Sequence, residues 1–221
     1  MKLNWTAIMA ITALSTLLMG CGSVKYPNYY TLNLASVPDP PPPQTANSSL
    51  AIRQFRSVEY LRAGSIVYRS SPEQIGYYTY HRWAVDPRNV ITNAVEERLR
   101  AQATFADVRL YDGHSDPDYM LSGRIEKLEE VDSGKTVTVE VALSARLVDV
   151  RTGNTVWTNY VSDSGVVEQR NVTAVVAEMS RTTDRAIQSL MSTMSVPTTR
   201  SGTIAKRAIA GVAPGLTKTQ Y

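Results

Sequence analysis

The sequence predicts an α+β fold: a single, mostly antiparallel sheet with two amphipathic helices packed on one face. Three observations predict it. Val137, Val139, Val141, Leu143, Ala145 and Leu147 alternate with polar or small residues, the period-2 pattern of a half-buried strand. Two other stretches carry apolar residues at spacings of three and four, which places them on one face of a helix. Turn-forming runs, Asp132-Ser133-Gly134 and Arg151-Thr152-Gly153-Asn154, separate strand-like segments closely enough for hairpins.

Taken in order, Asn28 to Leu34 is aromatic and rich in strand formers, and predicts a first strand. Pro40 to Pro43 cannot donate to a ladder and predicts a polyproline II linker to the body. Ser49 to Phe55 alternates and opens that body. Ser65–Ser70 and Gly76–Trp83 predict a hairpin joined at Ser71-Pro72-Glu73-Gln74. Asp86-Pro87 marks a helix start, with the aspartate as N-cap and proline at the first helical position. That helix is expected to reach about Gln102, burying Val90, Ile91, Ala94, Val95 and Leu99. Ala106–Tyr111 predicts another strand. Tyr119–Val131, Lys135–Val150 and Thr155–Val161 then predict a three-stranded antiparallel meander. A last helix runs from Val172 to Met194 and stops before Pro197; the weak formers Thr182 and Thr183 predict a bend or fraying inside it.

Length and charge narrow the function classes. A chain of 221 residues allows one domain with appendages. The pI near 9.0 points towards anionic partners. The positive charge, however, sits at the ends. Lys2 lies in the leader, and residues 196–221 hold four basic residues and no acid, so residues 21–195 carry 18 Lys and Arg against all 20 Asp and Glu. A body at −2 presents no case for nucleic acid. The organisation expected is a leader over 1–20, the lipidated cysteine with the first strand and linker over 21–48, an α+β domain over 49–195, and a basic, disordered tail over 196–221.

Lys2 followed by the apolar run Trp5–Met19 has the form of a secretory signal, too short and too diluted by Thr and Ser to span a bilayer. The run ends in Leu18-Met19-Gly20-Cys21, which resembles the lipobox of bacterial lipoproteins. The resemblance implies diacylglycerol on the Cys21 thiol, cleavage before it and acylation of the new amino terminus, and no other cofactor. Gly22 and Ser23 follow without the aspartate that holds many lipoproteins at the inner membrane, so the expected location is the periplasmic face of the outer membrane.

Cys21, Tyr29-Tyr30-Thr31-Leu32, Leu50-Ala51-Ile52, Ile66-Val67-Tyr68-Arg69, Trp83-Ala84 with Pro87 opening a helix, and Asp118-Tyr119-Met120-Leu121 before the meander occur in the order seen in a known family. The chain thereby resembles the ABC-type transport auxiliary lipoproteins, including those of the paraquat-inducible protein C type, over about residues 21–195. The family's usual acid after Trp-Ala is displaced by one position here, to Asp86. The resemblance implies a partner of MCE-domain proteins and an ABC transporter in lipid transport, and self-association into a homo-oligomer. The alternative is a lipoprotein of another envelope machine, for secretion or cell-wall synthase activation.

Catalytic and metal chemistry find little support in the residues. His81 and His114 are the two histidines of the chain. Asp112 to Asp118 superficially offers a metal loop, but the Gly and Glu that an EF-hand needs at its sixth and twelfth positions are Pro117 and Gly123. Gly, Pro and Asp are equally what a turn requires. There is no Gly-x-Ser-x-Gly elbow and no phosphate-binding loop. The expected protein is therefore not an enzyme, with no catalytic or metal residues. Tyr77, Tyr78, Tyr80 and Trp83 form an aromatic cluster suited either to the core or to a partner interface. Metabolic palmitate labelling is expected on the native chain and absent from Cys21→Ser; equal labelling of both would refute the lipobox assignment.

Overall fold

The computed structural model describes residues 25–38 and 47–194. Cys21, the leader, the prolines of the linker and the basic tail lie outside the described residues. The strands are β1 (Asn28–Tyr30), β2 (Ser49–Ile52), β3 (Arg56–Ser57), β4 (Ser65–Ser71), β5 (Gln74–Trp83), β6 (Asp107–Leu110), β7 (Tyr119–Asp132), β8 (Val137–Asp149) and β9 (Thr155–Val166). The helices are α1 (Pro87–Ala101) and α2 (Val172–Ser192), with a 3-10 turn at Glu59–Ala63.

The sheet is organised along β7. One edge of that strand pairs with β8 along nearly its whole length, antiparallel, from Tyr119 opposite Asp149 to Asp132 opposite Val137. The other edge is covered in succession by three short strands: β2 against Tyr119–Leu121, β3 against Arg124 and Ile125, and β4 against Glu130 and Val131. From this axis the sheet forks. One branch adds β6 to β2; the other adds β5 and then β1 to β4. On the far side β9 pairs antiparallel with β8.

The α+β architecture is as the sequence predicts, and the meander and the β4–β5 hairpin are antiparallel. The sheet is nonetheless mixed, because β1, β2, β3 and β4 each join a partner in parallel. Segments entering one after another along a single edge of β7 all have to run with it, and their connections are long enough to allow that. The first strand is shorter than the aromatic stretch that announces it. Its continuation leaves the ladder but stays on the body: Leu32 is buried in the core, the Asn33 N–H donates to Ser180 Oγ at 3.0 Å, and the Ala35 N–H donates to Asp184 at 3.0 Å. Strand β9 runs five residues past the predicted end at Val161. There Ser162, Asp163, Ser164 and Gly165 are weak strand formers carried by their pairing with β8.

Alternation decides which side chains go inward. Leu121, Ile125 and Leu128 of β7 join Val139, Val141, Leu143 and Leu147 of β8 in one core beneath the helices. A bulge at Glu126 shifts the register between Ile125 and Lys127 and adds local twist where the strand would otherwise run straight. Helix α1 starts at Asp86, whose carboxylate accepts from the Arg88 N–H at 2.9 Å; it buries Ile91, Ala94, Val95 and Leu99, while Val90 is half-buried. Asn171 caps α2 by accepting from the Ala174 N–H at 2.9 Å. That helix is continuous through Thr182 and Thr183, contrary to the expected bend. Both threonines are fully buried, so packing against the sheet supplies what their propensity lacks.

Two glycines are dictated by close approach. At Gly165 a Cβ would lie 1.9 Å from the Glu178 carboxylate of α2, and at Gly123 it would lie 2.2 Å from the Phe55 ring. Phe55 is fully buried and has no space to retreat into. Gly123→Ala should therefore lower stability by about 1–3 kcal/mol through overpacking. Chemical denaturation checks this, and an unchanged midpoint would mean that the ring can move.

Candidate functional site

The four aromatic residues singled out from the sequence lie on β5, and the structure divides them. Gly76 leaves room for the Tyr68 ring, whose atoms would otherwise sit 2.2 Å from a Cβ. The Tyr78 ring packs against Tyr68 and His81 at centroid separations of 5.1 and 5.5 Å, and its hydroxyl donates to Glu130 Oε2 at 2.9 Å. Trp83 lies opposite Tyr30 in the β1–β5 ladder and packs on the core. Tyr78 and Trp83 are thus structural. Tyr77 and Tyr80 point outward, each 43% exposed, and Tyr29 of the neighbouring strand is 63% exposed. The Lys25 ammonium stands over the Tyr80 ring at 5.9 Å. These rings are exposed along the β1–β5 edge, Tyr80 and Tyr29 near the amino-terminal end of the described chain and Tyr77 farther along β5, where it lines a hollow with Tyr68 and Glu130.

Beside this edge are two buried carboxylates that the sequence reading did not single out. Glu129 and Glu130 are neighbours on β7 and project to opposite faces of the sheet. Glu129 is completely buried and accepts from Arg69 Nε at 2.8 Å and Nη2 at 3.1 Å, a two-pronged pair. Arg69 also donates from Nη1 to the Pro72 carbonyl at 2.6 Å, which ties the hairpin turn to β7. Burial and the adjacent Glu129 push the Tyr60 phenol up to about 12. Burial likewise raises the Glu130 carboxyl above its ordinary value, with the Tyr78 hydroxyl acting in the opposite sense. Two acids in Glu-Glu-Val look like a solvated face in the sequence; only their cross-strand neighbours mark them as buried.

The histidines and the acidic loop have other work. The Nδ1 atom of His81 shares a hydrogen bond with the Tyr30 hydroxyl at 2.9 Å. The Asp112 carboxylate accepts from the N–H groups of His114 and Ser115 at 2.9 and 2.8 Å, which closes a turn and lowers its pKa to about 2. Asp118 accepts from the Ser49 N–H at 2.7 Å and from its hydroxyl at 2.8 Å, so it fastens the start of β2 to β7. Among the described residues no three His, Cys, Asp or Glu side chains converge on a common point.

The opposite face of the sheet holds a cleft of about 360 Å³ lined by Arg53, Arg56, Arg124 and Arg146 with Ser122, Ser144 and Thr158. Ser122 and Arg124 are outward positions of β7, and Ser144 and Arg146 are their register partners on β8. Each alternation is readable within its own strand. The arrival of Arg53 and Arg56 beside them is not, because it depends on the parallel pairing of β3 with β7.

A family model described as the ABC-type transport auxiliary lipoprotein component matches residues 30–190, which is the folded body almost end to end. No curated protein matches the sequence. Among solved structures, protein XCC0632 from Xanthomonas campestris superposes with a TM-score of 0.63 at 17% identity, covering 74% of this chain and 92% of that one. An uncharacterized protein does so with a TM-score of 0.57 at 15% identity, covering 74% and 95%. At these identities the likeness is one of fold.

The Tyr78–Glu130 contact has a measurable signature. A folded state that holds the Glu130 proton more tightly than the unfolded chain is favoured below the ordinary glutamate range, and loses that contribution as pH rises through the raised value. Glu130→Gln should flatten this part of the stability profile. Tyr78→Phe, which strips the carboxylate of its donor, should cost about 1–3 kcal/mol at neutral pH. Denaturant titrations between pH 4 and 8 read both, and parallel profiles for native and Glu130→Gln would exclude the assignment.

Proposed function

The chain belongs to the family of ABC-type transport auxiliary lipoprotein components, and on that footing we propose that it is a non-enzymatic periplasmic scaffold of an MCE-associated lipid transport system, anchored in the outer membrane through Cys21. The observation that carries the reading is the extent of the family match, residues 30–190, which takes in the sheet axis, the first helix, nearly all of the second, and Tyr77 and Tyr80. The mechanism is positional. Three acyl chains, at about 0.8 kcal/mol per buried methylene, hold the amino terminus in the bilayer without need of a spanning helix. Lys25 is the fourth residue after Cys21, and four extended residue steps span at most about 14 Å. The β1–β5 edge is thereby kept next to the membrane, where the outer end of a transport tunnel would meet it.

Tyr77 and Tyr80 are the docking residues in this reading. Each offers a rigid, amphipathic contact at low entropic cost, and neither ring is needed to fill the core. The scaffold acts as a homo-oligomer, so that several copies surround one MCE-domain partner and the ABC transporter draws on a fixed path. In-cell crosslinking followed by purification of the native chain should recover the MCE-domain protein. Tyr77→Ser with Tyr80→Ser should weaken that capture roughly tenfold or more at an unchanged melting temperature. Recovery of a solitary monomer, or of synthase or secretion components instead, would reject the proposal.

A further inference from the structure

Arg53, Arg56, Arg124 and Arg146 meet on the sheet face turned away from the helices. Arg56 and Arg124 are directly opposed in the parallel β3–β7 register. Arg146, opposite Ser122, is the diagonal neighbour of Arg124 across the β7–β8 ladder, a placement that puts side chains roughly 7–8 Å apart. Like charges set opposite one another weaken a sheet, so this arrangement costs stability when nothing lies between them. Among the described residues, the one carboxylate that pairs with any of the four is Glu126, at 3.2 Å from Arg124, and it also accepts from the Ser144 hydroxyl at 2.7 Å. Asp116 lines the adjoining hollow with Arg53 and Arg146 but forms an ion pair with neither. The Arg53 guanidinium is held over the Tyr111 ring at 5.4 Å.

We propose that this cleft is a binding site for a phosphate-type oxyanion, seated among the guanidinium groups of Arg53, Arg56, Arg124 and Arg146. Each guanidinium presents a planar fork of N–H donors matched to such an anion. A planar carboxylate satisfies one fork, whereas a tetrahedral group offers oxygens in several directions to arginines that approach from three strands and a loop. The hydroxyls of Ser122 and Ser144 add neutral donors on the same face. The anion replaces mutual repulsion with shared hydrogen bonds, so binding and local stability are linked. The site lies on the other face of the sheet from the core and does not depend on the transport reading.

The full chain in neutral detergent is titrated with inorganic phosphate by calorimetry, against chloride at matched ionic strength, and its melting temperature is followed in parallel. Saturable binding and a phosphate-dependent rise in melting temperature are expected. Arg56→Gln and Arg146→Gln should each weaken binding about tenfold or more, as loss of a charge-assisted fork does. Arg56→Gln without phosphate should melt no lower than the native chain, since it relieves the repulsion. A soluble phosphodiester, glycerophosphoglycerol, separates the sources. Displacement of phosphate by it assigns the site to a phospholipid head group, and failure to displace assigns it to free phosphate. No saturable response to either compound, or native-like affinity in both variants, would overturn the proposal.

Discussion

Satisfying both edges of one long strand is the constraint on which the rest of this structure depends. Strand β7 runs from Tyr119 to Asp132 through the middle of the sheet, so its backbone donors and acceptors need partners on either side. A buried backbone group left unpaired costs about 1–3 kcal/mol, too much to tolerate repeatedly in a domain of marginal stability. Strand β8 serves one edge alone. The other is served piecemeal by β2, β3 and β4, none of which spans more than seven residues. The fork in the sheet, the mixed strand directions and the placement of the hairpin all follow from that division.

Side-chain contacts fix the piecemeal edge in register. A slip of one residue would turn every side chain of a short strand to the wrong face. Asp118 holds the start of β2 through the Ser49 N–H and hydroxyl, Phe55 fills the space that Gly123 leaves, and Arg69 clasps Glu129 beside the β4 pairing. A buried ion pair of this kind adds little net stability compared with an apolar pair, but leaving either partner alone is costly. Its effect is to penalise the wrong alignment. Meanwhile α2 secures the amino-terminal segment through Ser180 and Asp184, so the chain that leads from Cys21 enters the body at a fixed place.

The same alternation that builds the core also builds the two outward surfaces. Inward residues of β7 and β8 meet the helices, and outward residues of the same strands leave Ser122, Arg124, Ser144 and Arg146 facing away. On β5, Tyr78 and Trp83 were absorbed by the core while Tyr77 and Tyr80 remained exposed. The one sheet thereby presents two outward surfaces, one bearing exposed tyrosines and one bearing arginines.

The sequence by itself determined the helices, the meander, the β4–β5 hairpin and the balance of charge between body and ends. The charge balance is a count over the chain; each of the structural elements rests on a local signal, a period, a cap or a turn. Only the tertiary structure decided that β2, β3 and β4 join β7 in parallel, that Thr182 and Thr183 lie buried in an unbroken helix, and that Glu129 and Glu130 are buried rather than solvated acids. It alone brought Arg53 and Arg56 beside Arg124 and Arg146. The physical reason is that periodicity specifies which face of an element is apolar, whereas partner and register are set by contacts between residues far apart in the chain, and a single sequence carries no local trace of them.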